Sequence, residues 1–247
     1  MRLLTFLAGL AGLSTAGGLA AQTPAAEPAA APAPPAAENI WHLDLSTGGR
    51  VTIQLRPEAA PAHVERIRTL TRRGFYDGLV FHRVIEGFMA QGGDPTGTGA
   101  SGSDLPDLAA EIGLPHLRGA VGMARGEALD TANSQFYIMF VPRLAMDRRY
   151  TVFGRVVDGM AYVDAIERGE PPLAPTRIVR ASIGSDRVPP LSAEELRARA
   201  AQMAARSAPA ATTGAGAVAS RDGPPVPPPP PAPRALEPVR GPDAPPR

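Results

Sequence analysis

Phe81-His82-Arg83-Val84-Ile85-Glu86-Gly87-Phe88-Met89-Ala90-Gln91-Gly92-Gly93-Asp94 is the stretch that decides how this chain folds. Leu79, Phe81 and then Val84 with Ile85 give the apolar pattern of a strand. Arg83 stands where that strand ends, and Glu86-Gly87 reads as a turn. Phe88 and Met89 bring apolar surface back, and Gln91 follows. Gly92-Gly93-Asp94-Pro95 then demands an irregular loop, because only glycine takes unusual backbone dihedrals at little cost. The stretch collects a planar cationic donor, an amide and two large apolar side chains. It holds no nucleophile beside a base and no metal-binding cluster. Such a surface can bind and polarise a group but has little with which to attack it.

A second run, Asn133-Ser134-Gln135-Phe136-Tyr137-Ile138-Met139-Phe140, lies downstream. In this order the two runs resemble the cyclophilin family of peptidyl-prolyl cis/trans isomerases, over roughly Ile40 to Gly184. The resemblance implies a mainly β fold, a closed eight-stranded antiparallel barrel capped by two helices. It implies an enzyme that works without a cofactor on proline-containing polypeptides. Arg83 falls on the family's catalytic arginine. Phe88, Met89 and Gln91 fall on its pocket phenylalanine, pocket methionine and substrate-binding glutamine, and Gln135 on a second such glutamine. Ala124-Arg125-Gly126 matches the stretch that binds the substrate backbone, where asparagine often replaces Arg125.

The chemistry fits that residue set. The X-Pro bond rotates over a barrier of about 18–20 kcal/mol because its amide is conjugated. A donor aimed at the prolyl nitrogen localises the lone pair in the twisted state, and an apolar pocket that strips water strengthens that donor. A glutamine can hold the neighbouring carbonyl. No covalent intermediate or proton transfer is needed.

Several positions depart from the family's pattern. Tyr137 replaces a pocket phenylalanine, and Tyr150 occupies the place of a pocket histidine. Ala145-Met146 stands where many members have Trp-Leu. The single tryptophan, Trp41, is far upstream. Met146 and Tyr150 are expected to line the pocket, whereas Ala145 cannot replace an indole, which bears on binding of the family's cyclic inhibitor cyclosporin.

The 247 residues divide by composition. Residues 1–21 carry a basic start, an apolar run and small residues near Ala20 and Ala21, the pattern of a cleaved secretory signal. Residues 22–37 are an Ala/Pro linker. Residues 38–187 form the isomerase domain and can bury one core. Residues 188–207 read as a short helix with capping-box spacing between Ser192 and Glu195. Residues 208–247 belong to a stretch holding 15 of the 29 prolines from Pro189 onward, and read as a disordered, polyproline-like tail. Within the domain, 40–45 and 51–55 read as strands around a Thr47-Gly48-Gly49 turn, 61–73 as a helix, and 120–124, 136–140, 151–157 and 177–184 as strands. Residues 160–168 read as a second helix.

A net charge of +1 gives no electrostatic case for nucleic acid or an anionic membrane. Cysteine is absent, so an exported chain has no disulfides and no lipid anchored through an N-terminal cysteine. Leader, linker and lack of disulfides point to the periplasm of a Gram-negative bacterium, with no stable membrane insertion after cleavage and a monomer expected. All 25 basic residues are arginine, a bias of composition rather than of function. His42, His63, His82 and His116 lack ligand spacing and are read as non-metal, with His82 on the strand face opposite Arg83. A protein of another class, a proline-binding or holdase module with a tail that recruits aromatic grooves, would share the pocket; a pure binder could dispense with Arg83.

Overall fold

A computed structural model of the chain describes residues 35–207. The expected leader, most of the linker and the tail lie outside the described residues. Eight strands follow the chain: β1 (Ile40–Leu45), β2 (Gly49–Leu55), β3 (Phe81–Ile85), β4 (Met89–Gly92), β5 (Ala120–Met123), β6 (Phe136–Met139), β7 (Val152–Asp158) and β8 (Ile178–Ile183). They join in one antiparallel sheet ordered β3-β4-β6-β5-β7-β2-β1-β8. Three helices accompany them: α1 (Pro61–Arg72), α2 (Met160–Asp164) and α3 (Ala193–Ser207).

Alternation places one face of the curled sheet inward. Leu43, Leu45, Val51, Ile53, Val121, Ile138 and Ile183 are fully buried there, with Trp41 packed edge-on to Phe136 at 5.0 Å. α1 begins with Pro61 at its first turn, a position whose missing N–H costs nothing. Val64, Ile67 and Leu70 repeat at helical spacing and sink into that core. Its N-cap, Ala60, offers no side chain; the Glu111 carboxylate accepts from the N–H groups of Ala62 and His63 instead, both at 3.1 Å.

Two expectations are corrected. The sheet is an open, curled half-barrel rather than a closed barrel: β3 and β8 end the strand order and form no ladder with each other, and they are linked only where they begin, by a bridge from Val80 to Arg177 and by backbone bonds from Phe81 N–H to Thr176, Gly78 N–H to Ile178 and Ile178 N–H to Leu79. The two-helix cap also differs. α2 is five residues long, and past its end the Arg168 side chain turns back to donate to the carbonyls of Asp164 and Ile166, which the ended helix leaves open. α3 packs on the barrel as a third helix, with Leu196 fully buried. Its start is capped as its sequence spacing implies: Ser192 N–H donates to Glu195 at 2.8 Å, and Glu195 N–H to the Ser192 hydroxyl at 3.2 Å. Arg50 and Arg180 hold the buried Asp44 at 2.7 Å each and also donate to the carbonyls of residues 188 and 189, which ties this segment to the sheet. Among the described residues no helix is long and apolar enough to cross a membrane.

Candidate active site

One row of the sheet sets the site. Arg83 on β3 pairs with Gln91 on β4, Gln91 with Tyr137 on β6, and Tyr137 with Gly122 on β5. Residues in register share a face of the pleat. A bulge between Phe81 and Arg83 makes this possible on β3. It lets Phe81 and Val84 both enter the core while Arg83 turns out, and His82 is tucked under the 94–99 loop beside Gly99. Strand alternation alone puts His82 opposite Arg83, whereas the bulge carries no local signal in the sequence.

Around this row a second apolar cluster forms, separate from the main core. It contains Phe88, Met89, Ala120, Tyr137, Met139, Met146 and Val152, with Ile85, Leu114, Ala124 and Tyr150 packed against it. Gly122 is needed for close approach: a Cβ there would lie 2.4 Å from the Tyr137 ring. The Arg143 guanidinium covers the Phe88 ring at 5.0 Å. Phe88, Met89, Tyr137, Met146 and Tyr150 thus converge from four separate segments.

The polar groups are held by a relay. Gln91 donates its amide to the Gln135 carbonyl oxygen at 2.9 Å, and Gln135 donates onward to Gly99 O and Ser101 O at 3.0 and 2.7 Å. Those acceptors sit on a loop that Asp94 organises, accepting from Thr96 N–H at 2.8 Å and Thr98 N–H at 3.1 Å. Burial alone would raise the Asp94 carboxyl, but the bonds from the Thr96 N–H and hydroxyl and from Gly99 N–H, with nearby His82, outweigh it and hold the group below the usual carboxylate range. The loop enters through Gly93, whose φ of +88° and approach to Ser134 O leave no room for a Cβ.

Arg83 is 19% exposed, and its Nε donates to Glu170 at 3.1 Å. Its two Nη groups make no hydrogen bond among the described residues. Arg125, expected to meet substrate, uses its guanidinium locally. It donates to the carbonyls of Gly126 and Glu127 at 2.9 and 2.8 Å and of Arg149 at 2.9 Å, and lies 4.7 Å over the Tyr150 ring. Ala124 N–H is bonded to Gln135 O at 2.9 Å. Among the described residues no group of three or more His, Cys, Asp or Glu could hold a metal.

Under the pocket the Tyr137 hydroxyl meets Nε2 of His116 at 2.8 Å, and Nδ1 of His116 meets Asp147 at 2.8 Å. Burial depresses the His116 pKa more than Asp147 raises it, so the ring is neutral near pH 7. Burial, then the neighbouring Tyr150, pushes the Tyr137 phenol well above its ordinary value. The roles follow: Nδ1–H donates to Asp147, and the Tyr137 hydroxyl donates to Nε2.

The family model described as "Cyclophilin type peptidyl-prolyl cis-trans isomerase/CLD" matches residues 42–183. The chain belongs to the cyclophilin family. This cyclophilin is 43% identical over 166 residues to the probable peptidyl-prolyl cis-trans isomerase of Brucella suis, covering 60% of this chain and 84% of that one. Among solved structures it resembles cyclophilin AquaCyp293 from Hirschia baltica, with 30% identity, a TM-score of 0.58 and coverage of 63% and 77%. It also resembles a Cryptosporidium parvum cyclophilin-type isomerase crystallised in the presence of the dipeptide Ala-Pro, with 26% identity, a TM-score of 0.55 and coverage of 58% and 98%. The protein is a peptidyl-prolyl cis-trans isomerase, and proline-containing polypeptides are its substrates.

The cyclophilin's groove includes residues that sequence reasoning missed. Glu170, Arg143 and the His116–Asp147 pair carried no local pattern. Only the aromatic change at Tyr137 hinted that a polar partner must wait beneath it, since a buried phenol needs one.

Proposed function

We propose that this cyclophilin accelerates X-Pro isomerisation during the folding of exported polypeptides, with Arg83 as its catalytic residue. The observation that carries the assignment is the pair of uncommitted Nη groups beside an apolar cluster. In the twisted amide the prolyl nitrogen becomes a hydrogen-bond acceptor, and a preorganised guanidinium in a water-poor groove stabilises it. Phe88, Met89, Tyr137, Met146 and Tyr150 would seat the proline ring. Gln91, held by Gln135, would take the neighbouring carbonyl, and the backbone of Ala124-Arg125 would border the peptide. The Cryptosporidium relative's crystals with Ala-Pro support a proline-containing dipeptide as a minimal occupant.

Export rests on the sequence before residue 22: a basic start, an apolar run and small residues ahead of an Ala/Pro linker. We assign the protein to the periplasm of a Gram-negative cell and treat it as a monomer. Fractionation of cells carrying the full chain tests this: the mature protein should appear in the periplasmic fraction, shorter than its precursor by about the leader.

The activity test is the decay of a cis-proline peptide signal at low temperature, where the uncatalysed reaction takes minutes. Purified protein should accelerate the decay in proportion to its concentration. Binding of the peptide without acceleration would leave a proline-binding module instead.

A further inference from the structure

β3 ends the sheet, so one of its edges has no strand partner. A short strap, Arg168-Gly169-Glu170, lies along that edge. Gly169 and Val84 exchange both backbone bonds, at 2.8 and 2.9 Å. Arg168 donates to Glu86 at 2.7 Å, and its guanidinium stacks on the Phe140 ring at 4.4 Å. Glu170 accepts from Arg83 Nε at 3.1 Å. The strap is therefore pinned at residues 168 and 169 whether or not residue 170 is acidic, and it delivers one carboxylate to the catalytic arginine.

We propose that Glu170 is a positioning residue: it holds Arg83 by Nε and so leaves both Nη groups aimed at the substrate amide. The proposal rests on Arg83 as the donor. A free arginine side chain samples many rotamers, and its fork is useful only in one. Fixing Nε selects that one before substrate arrives, which lowers the ordering cost of the twisted state. An exposed ion pair of this kind adds little to folding, and the Glu170 side chain is 49% exposed. Its value lies in the geometry of its partner. Among the described residues Nε is the only donor it takes, so the binding fork stays free.

The test combines kinetics with the arginine Nε–H spectrum of ¹⁵N-labelled protein, in which the Arg83 signal is assigned by its loss in Arg83→Ala. In the parent that signal should be sharp and slow to exchange with water. Glu170→Ala should lose this protection, with kcat falling roughly fivefold, the change that about 1 kcal/mol of lost positioning represents, while KM and Tm stay near the parent's. Glu170→Gln keeps an acceptor oxygen at the same reach and should restore most of both signal and kcat. Parent-like kcat in Glu170→Ala overturns the proposal. Equal losses of Tm and kcat in both variants overturn it too, in favour of a structural strap. Full activity in Arg83→Ala removes the catalytic reading itself, whereas a protected Arg83 signal with unchanged Glu170→Ala kinetics removes only the positioning role.

Discussion

The Tyr137 hydroxyl lies 2.8 Å from Nε2 of His116, with both side chains buried. Tyr137→Phe would keep the ring and remove the only donor to that nitrogen among the described residues. A buried acceptor left without a partner costs about 1–3 kcal/mol. For a domain of this size Tm should fall by roughly 2–4 °C per kcal/mol, while isomerase activity stays within a few-fold of the parent. A phenylalanine variant as stable as the parent would mean that the hydroxyl contributes nothing through His116.

Arg83→Ala should lose nearly all activity. Removing one preorganised donor costs about 2.7–4 kcal/mol of transition-state stabilisation, a hundredfold or more in rate. Thermal unfolding should barely change, because the side chain faces the groove and its one ion pair is half exposed. Arg83→Lys should not rescue activity, since an ammonium lacks the planar fork. A folded Arg83→Ala protein at full rate refutes the assignment.

Cyclosporin should bind weakly. Ala145 is exposed in the turn Leu144–Met146, next to Met146 of the second apolar cluster, and offers no aromatic surface there. Loss of an aromatic anchor commonly costs about 2–4 kcal/mol, roughly thirty to a thousandfold in affinity. Ala145→Trp should recover part of that in a titration of the purified protein. Tight binding by the parent contradicts the argument.

The folded unit should extend past residue 187. Leu196 is fully buried, and residues 188 and 189 supply carbonyls to Arg50 and Arg180. A protein spanning 38–207 should melt near the full chain, whereas one spanning 38–187 should melt several degrees lower. Leu196→Ala in the longer form should cost about 2 kcal/mol or more. Equal melting of the two lengths would show that α3 adds no stability.

Stability should decline in acid in two stages. Burial is the leading cause that lowers the pKa of His42, His63, His82 and His116 below the ordinary 6.5. The unfolded chain therefore binds protons first as pH falls through about 6.5, and stability is lost below that value and kept above it. Asp94, Glu111 and Asp147 are depressed by their hydrogen bonds against the opposing effect of burial, so their contribution disappears only below the ordinary carboxylate range. Asp77, raised by burial, has the opposite sign. A Tm that stays flat from pH 7 to pH 5 would contradict the histidine stage.

The glutamine relay and the two apolar faces show how far local pattern reached. Period-two alternation separates Val84, Ala90 and Ile138 from Arg83, Gln91 and Tyr137, because successive strand residues point to opposite faces whatever the neighbours are. β1 and β2 were legible for the same reason, α1 by the helical spacing of Val64, Ile67 and Leu70, and β5 to β8 within a residue or two at their ends. β4 was not read as a strand, because four residues are too few to show a period and its glycines read as loop.

The sequence by itself determined the segments, the faces they bury and the chemistry of the Arg83–Gln91 stretch, since these depend on backbone geometry and side-chain type within a few residues. Only the tertiary structure decided which distant groups meet. Glu170 reaches Arg83 across 87 positions, and Glu111 caps α1 from 48 positions after His63. It also left the sheet open between β3 and β8 and gave the strap a free edge to occupy. Such pairings carry no periodic signal: they arise where packing brings an unsatisfied donor to an acceptor, and burial makes the match worth keeping.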